Sequence, residues 1–396
     1  MTELLTSPEF QMSLLLLVAL AGYLIASRIN QSAVIGLIFV GILVGPSALG
    51  WIQYTDFVSS LAHMGAVILL FVIGLEFKLH EIMQIRNGII ALLGVIIPWI
   101  GGYGLSILFG YSGTSAIFIG TALTATSIAI TANVLQELDQ LQTNAAKVVI
   151  GAAVIDDILG LLALSISNEA ASGSVDGISI ALMTIKAVAF VVIGAAVGVL
   201  IISRIIEYID ETPFAGKYPE FTFIFAMMMA FVYGILAETV GLSAIVGAFI
   251  AGVSFNEIKL KQGHDLKEGA GYLQIIFASI FFLSLGIMVD LKALTSEIVL
   301  FLVVLTIIAV VTKLIGCGVP AYFSGMSIKE SCIVGFGMAP RGEVAMIVAL
   351  IGLQKGVINQ GIYVTIIIMS LLTTMFTPLI YRNCFFRDCK NGVNTP

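Results

Sequence analysis

The sequence predicts an all-α polytopic membrane protein of 13 transmembrane helices, arranged as two inverted six-helix repeats joined by a middle helix. Three observations lead there. Of 396 residues, 59% are hydrophobic and only 11% charged, with mean hydropathy +1.10; a soluble domain of this length needs far more charge to cover its surface. Apolar runs of the about 20 residues that cross a bilayer recur along almost the whole chain and leave no polar stretch for a separate soluble domain. Two short matches between the halves keep one register.

The spans emerge from reading apolar runs against polar breaks. The first, 10–28, closes at Arg28. Before it, MTELLTSPEF has neither a basic n-region nor a small-residue cleavage site, so this run is expected to be a true span and not a removable signal. Spans over 32–50 and 57–76 come next, the latter ending before Lys78 and Arg86. Runs over 87–110, 114–136 and 145–166 complete the first half, with Lys147 at the start of the last. The run over 177–206 joins the halves and carries Arg204, with Lys217 beyond it. The second half continues over 219–239, 242–256, 271–289, 296–322, 330–353 and 361–381. Its breaks hold Lys259, Lys261, Lys267, Lys292, Lys329 and Lys355, and its tail Arg382, Arg387 and Lys390.

Charge placement orients these spans. With the N-terminus outside, 13 of the 18 basic residues fall in cytoplasmic loops and the tail, and only Lys292 and Lys355 fall outside. That is the positive-inside pattern of an odd number of spans, N-out and C-in, in a cell membrane. Lys186 lies near an outer helix end, and Lys313 and Arg341 lie at mid-helix depth. The net charge of -6 carries no nucleic-acid signature. Cys317, Cys332, Cys384 and Cys389 are scattered and read as apolar or tail residues, not as a disulfide or metal pair.

The repeat rests on SAVIGLIFVGILVG (32–45) against SAIVGAFIAGVSFN (243–256), and LLFVIGLEFKL (69–79) against FFLSLGIMVDL (281–291), at offsets of 211 and 212. Because 32–50 would run inside to outside and 242–256 the reverse, the halves are inverted, which is an architecture of secondary transporters.

The costliest residues sit in AVIDDILGLL, where Asp156 and Asp157 interrupt an apolar run. An ionised carboxylate at bilayer depth costs roughly 2.5–3.5 kcal/mol on insertion scales, so both must face protein, water or an ion. Successive helix residues point about 100° apart, so one acid can meet a neighbouring helix while the other lines a cavity. Lys313 of VVTKLIG is expected to pair with Asp156, since a buried lysine keeps its charge only beside a carboxylate. The plain alternative is a static pair that fixes packing, but it needs no second acid beside it. Asp157 then serves as the carboxylate that holds either a proton or a hard monovalent cation.

GFGMAPRGEVAM, with three glycines and Pro340 at membrane depth, is expected to break its helix. Its counterpart at the same offset, GTALTATSIAIT, is hydroxyl-rich but lacks proline, so its break is less marked in the sequence. Two such discontinuous helices crossing would offer carbonyls and half-helix dipoles to a cation. Thr124, Thr126 and Ser127 are candidate oxygen ligands, against the ordinary reading that membrane threonines bond their own backbone. Arg341 and Glu343 are expected to compensate the helix dipoles, with Glu76 of GLEF a candidate partner for Arg341; a local structural pair is the alternative. His63, His80 and His264 lie at helix ends or in loops and read as solvated.

TATSIAIT, AVIDDILGLL, the lysine of VVTKLIG and MAPRGEVAMIV together resemble the monovalent cation/proton antiporter superfamily, in its NapA-like and Kef-like branch. The resemblance covers essentially the whole chain and keeps the four motifs in the family's order. It implies the NhaA-like antiporter fold and a homodimer working by an elevator movement, with no resident cofactor: Na+ or Li+ and H+ are cargo. It implies dimerisation-domain helices and the start of the core over 1–86, core over 87–170, a linker helix over 171–210, dimerisation-domain helices over 211–295 and core over 296–396. The ion-binding aspartate maps to Asp157 and the lysine-paired one to Asp156. Electroneutral relatives carry asparagine at the first position of the pair, and glutathione-gated potassium relatives often glutamine, so aspartate here implies electrogenic, sodium-selective exchange. The chain departs from many Kef-like members by ending at Pro396 with no attached regulatory nucleotide-binding domain.

K+/H+ exchange on the same fold is the nearest alternative, because cation size is discriminated by site geometry and dehydration. An intramembrane aspartyl protease needs two acids face to face, usually from two helices, whereas adjacent residues on one helix diverge, and no GxGD is present. A passive channel would pass current without proton coupling.

Overall fold

The computed structural model describes residues 7–82, 84–172, 177–218, 220–258, 260–261, 266–289, 291–293 and 296–386, without the side chains of residues 172, 293, 296, 297 and 343. Lys259, His264, Arg387, Cys389 and Lys390 lie outside the described residues. The described chain is helical. Its principal helices are α1 (Pro8–Arg28), α2 (Ala33–Val44), α3 (Asp56–Gly74), α4 (Ile85–Leu108), α5 (Gly113–Thr124), α6 (Ile128–Glu137), α7 (Asn144–Ser172) and α8 (Gly177–Val197). They continue as α9 (Glu220–Thr239), α10 (Ala244–Phe255), α11 (Leu266–Ile287), α12 (Ser296–Lys313), α13 (Ile328–Gly337), α14 (Glu343–Gln354) and α15 (Gln360–Ile380). Among the described residues, ten helical segments are long and apolar enough to cross a membrane, with shorter apolar helices at Ala33–Val44, Ala244–Phe255 and Val344–Gln354. The chain is a multi-pass membrane protein.

Local sequence sets the helix starts. Ser7, Ser32, Ser112, Ser243 and Asn359 each place a side-chain oxygen on a backbone N–H of the first turn, and Ser327 with Glu330 forms a reciprocal capping box. Such caps contribute about 1 kcal/mol each. Short connections therefore suffice to stop and restart the chain.

Three elements differ from expectation. The run over 32–50 stops as a helix at Val44, because Pro46 forces Gly45 into extended geometry (φ -75°, ψ -173°). The freed carbonyls of Leu43 and Val44 are taken by the N–H groups of Leu49 and Trp51, at 3.0 and 2.8 Å. The run expected over 145–166 continues to Ser172. The run over 114–136 is interrupted at 125–127 without any proline, Ala125 being extended (φ -56°, ψ 141°). Wide π turns also succeed α8 (Gly198–Ile202) and α12 (Leu314–Gly318).

The chain forms two compact units. One comprises Met1–Thr55, Gln84–Asp176 and Phe282–Pro396. In it α4 lies against α5, α7 and α12, and α15 packs on α12 and α14. The other comprises Asp56–Met83 and Gly177–Phe281, where α10 lies between α3 and α9. Close packing needs bare backbone at these crossings: a methyl on Gly36 would collide with the Gly22 carbonyl, and one on Gly247 with the Tyr233 carbonyl.

Candidate functional site

The first unit holds the site. The α5–α6 and α13–α14 interruptions meet there: the Ser127 N–H donates to the Pro340 carbonyl at 2.9 Å, and Thr131 Oγ1 donates to the Gly337 carbonyl at 2.6 Å. Thr126 Oγ1 donates to the Met338 carbonyl at 3.3 Å. Each interruption thus satisfies backbone groups that the other exposes, which is what lets irregular backbone exist at this depth.

α7 carries both aspartates past this crossing. Asp156 is 1% exposed, and its Oδ1 accepts from Lys313 Nζ of α12 at 2.9 Å. Lys313 is fully buried, and Asp156 is its sole ionic partner among the described residues. Asp157, the next residue, is only half-buried. The pair of acids therefore divides between a sealed contact and a partly open face. One turn beyond Asp157, the position of a Cβ on Gly160 lies 4.0 Å from Thr124 Oγ1, so α5 borders this face of α7.

The three hydroxyl candidates separate. Thr124 Oγ1 donates to the carbonyl of Thr121 at 2.8 Å, the ordinary back-bond. Thr126 Oγ1 donates to the carbonyl of Met338, across the other interruption. Ser127 Oγ makes no hydrogen bond to the described residues, and Gly342 stands close over it, where a Cβ would come within 2.7 Å of that oxygen.

Arg341 is fully buried and corrects an expectation. Its partner is not Glu76, which forms an ion pair with Lys267 at 2.5 Å in the second unit. Instead its guanidinium donates to the carbonyls of Met338 (3.3 Å), Ala339 (3.1 Å) and Ala309 (3.1 Å). Two of these lie just past the C-terminal end of α13, where a cation opposes the helix dipole. The side chain of Glu343 lies outside the described residues.

Sequence reasoning missed the residues that hold Arg341. Thr373 Oγ1 accepts from the Arg341 N–H at 3.2 Å, Thr374 Oγ1 donates to its carbonyl at 2.9 Å, and Thr377 Oγ1 donates to the carbonyl of Phe336 at 2.8 Å. The signal was the run TTMFT in an otherwise apolar span. A second missed network, Trp99 Nε1 to Thr121 Oγ1 to Ser167 Oγ (3.3 and 2.6 Å), ties α4, α5 and α7 together.

A polytopic helical protein with two interrupted helices meeting beside a buried acid–lysine pair has the build of a secondary transporter. The transmembrane sodium/hydrogen exchanger profile matches residues 14–383, so the chain belongs to that family. It is 34% identical over 380 residues to the Na(+)/H(+)-K(+) antiporter GerN of Bacillus cereus, covering 95% of this chain and 96% of that protein. It is 33% identical over 379 residues to a Na(+)/H(+) antiporter of Enterococcus hirae, covering 93% and 96%. Its fold is that of the sodium proton antiporter MjNhaP1 from Methanocaldococcus jannaschii, with a TM-score of 0.72 at 17% identity over 98% of each chain.

Proposed function

We propose that the chain is a secondary active Na+(Li+)/H+ antiporter in which a proton and a monovalent cation compete for Asp157. The observation that carries this reading is the division of labour on α7: Asp156 sealed against Lys313, Asp157 half-buried beside it, both at the crossing of two interrupted helices. A proton and a cation use the same carboxylate oxygens, so binding one expels the other. The cation also needs neutral oxygens; Ser127 Oγ, which makes no hydrogen bond to the described residues, and Thr126 Oγ1 would supply them. The Asp156–Lys313 pair supplies a second protonatable position, so exchange moves more protons than cations and is electrogenic.

The same reading counts thirteen spans, by joining α5 to α6 and α13 to α14 across their interruptions and including the short α2 and α10. Inverted repeats are supported by packing. At the repeat offset Gly41 corresponds to Gly252 and Gly286 to Gly74; a methyl on Gly41 would meet Leu283 and Gly286, and one on Gly252 would meet Phe71 and Gly74. Thr126 reaches the carbonyl of Met338, its own counterpart 212 residues on, as residues near a two-fold axis do. Loop charges favour N-out, C-in. The core segments 87–170 and 296–396 would move as an elevator against dimerisation helices drawn from 1–86 and 211–295, with 171–210 as linker, in a homodimer. The compact units place Met1–Thr55 with the core segments, so this boundary rests on the family resemblance and not on compactness.

K+/H+ exchange at the same aspartate is the second reading, favoured by the potassium in the name of the GerN relative. The test is proteoliposomes carrying a proton gradient and a pH dye, challenged with Na+, Li+ or K+. Asp157→Asn is expected to fall to the empty-liposome baseline. Full exchange by that variant would overturn the assignment, and a response to K+ alone would select the second reading.

A further inference from the structure

α4 supplies no titratable side chain to the site: its arginine, Arg86, lies in the first turn. Yet its backbone borders the buried ion pair. A Cβ placed on Gly94 would lie 3.7 Å from Lys313 Nζ, 3.9 Å from Asp156 Oδ1 and 2.5 Å from Cys317 Sγ. The opposing surface is the π turn Leu314–Gly318, which starts immediately after Lys313. There a Cβ on Gly316 would lie 2.7 Å from the Leu93 carbonyl oxygen and 3.3 Å from Gly94 Cα. The Cys317 thiol, fully buried, points to the Ile90 carbonyl at 3.8 Å, one turn before Gly94. So α4 and the π turn meet backbone to backbone, and the buried thiol fills a notch between Ile90 and Gly94. π turns inside α-helices are frequent at functional sites, where the extra residue shifts the helical register on either side of the turn.

We propose that Gly94 is a positioning residue for ion exchange: its bare backbone seats Cys317 and the π turn, and that seat sets Lys313 against Asp156. The inference rests on the exchange reading of Asp157. A side chain at 94 would collide with the Cys317 Sγ, so the thiol must turn or the π turn must shift from α4, carrying with it Lys313, four residues before Cys317. The charged and titratable groups around the pair are Asp157 on α7, Arg341 from the α13–α14 interruption and Cys317 itself. None of these is altered by a methyl at 94.

The experiment measures the profile of proton exchange against Na+ concentration in proteoliposomes for the wild type, Gly94→Ala, Cys317→Ala and the double variant. Gly94→Ala is expected to raise the apparent KM for Na+ about threefold or more at a maximal rate within about twofold of wild type, since Lys313 and Asp156 shift beside Asp157 while no exchanging group is lost. Cys317→Ala alone is expected to keep the wild-type profile. In the double variant the thiol is gone, the notch has space for the methyl, and the profile returns toward wild type. A Gly94→Ala profile identical to wild type, or a double variant as displaced as Gly94→Ala, would overturn the proposal. If Gly94→Ala does not fold, Cys317→Val overfills the same notch from the other side and is compared with Cys317→Ser; identical profiles for those two would also overturn it. A wild type without exchange would instead remove the reading on which the inference stands.

Discussion

Replacing Lys313 by glutamine removes the cation that contacts Asp156, and the structure sets the size of the consequence. The two side chains are 0% and 1% exposed and 2.9 Å apart, so water cannot take over from the lost partner. Removing one member of a buried pair costs about 3–5 kcal/mol, most of it the desolvation of the charge left behind. Asp156→Asn leaves a buried ammonium and is expected to cost as much. The double variant Asp156→Asn/Lys313→Gln leaves two neutral amides able to bond each other, and its cost is expected to fall to about 1–2 kcal/mol. At roughly 2 °C per kcal/mol for a large chain, each single variant lowers the thermal midpoint by about 6–10 °C and the double by about 2–4 °C. The assay is thermal unfolding of purified protein in detergent, followed by loss of the monodisperse peak. Single variants within about 2 °C of wild type would show that the pair is not coupled. A double variant as unstable as the singles would refute the argument from buried charge.

At zero membrane potential, exchange of two protons per cation balances a tenfold proton gradient against a roughly 100-fold Na+ gradient, and one-for-one exchange balances it against about tenfold. Wild-type proteoliposomes are expected to null at the steeper ratio and Lys313→Gln at the shallower; a wild type that nulls at tenfold excludes electrogenic exchange. Ser127→Ala is expected to change thermal stability by no more than about 0.5 kcal/mol while raising the apparent KM for Na+, because its hydroxyl has no hydrogen-bond partner among the described residues. Thr124→Val, which removes a back-bonded hydroxyl, is expected to leave that KM unchanged. Arg341→Ala removes the charge-assisted hydrogen bonds to the carbonyls of Met338, Ala339 and Ala309, at roughly 1.5–3 kcal/mol each, and is expected to abolish folded yield. Arg341→Lys is expected not to restore it, since a point ammonium cannot span a fork of carbonyls.

The features legible in the sequence were those that are costly or periodic. Asp156 and Lys313 were visible because a charge at bilayer depth demands a partner, and each was the obvious candidate for the other. The α13–α14 interruption was visible because Pro340 cannot continue a helix and the three glycines beside it favour one least. The α5–α6 interruption was much less so, since ATS has no breaker in it; its extended backbone is stabilised by Ser127 bonding to Pro340, more than 200 residues away. Arg341 misled for the same reason. Its partners are backbone carbonyls, which every residue possesses and no sequence marks, so a distant carboxylate, Glu76, looked the better match.

The proposed repeat also explains why chemistry and packing were legible in different ways. Glycine contacts recur in both halves at one offset, but the charges do not: at offset 212 the counterpart of Asp156 is Ile368, that of Lys313 is Gly101, and that of Arg341 is Ala129. Ile368 and Ala129 are buried, and a Cβ on Gly101 would come within 2.7 Å of Thr312, beside Lys313. A two-fold scaffold gives an alternating protein two packings of comparable energy, which a transporter must populate in turn. A second copy of the acid–lysine pair would add another set of buried charges to stabilise in both packings. In the proposed mechanism, placing the pair once, close to the proposed axis, would let a single carboxylate face either side while the helices around it exchange equivalent contacts.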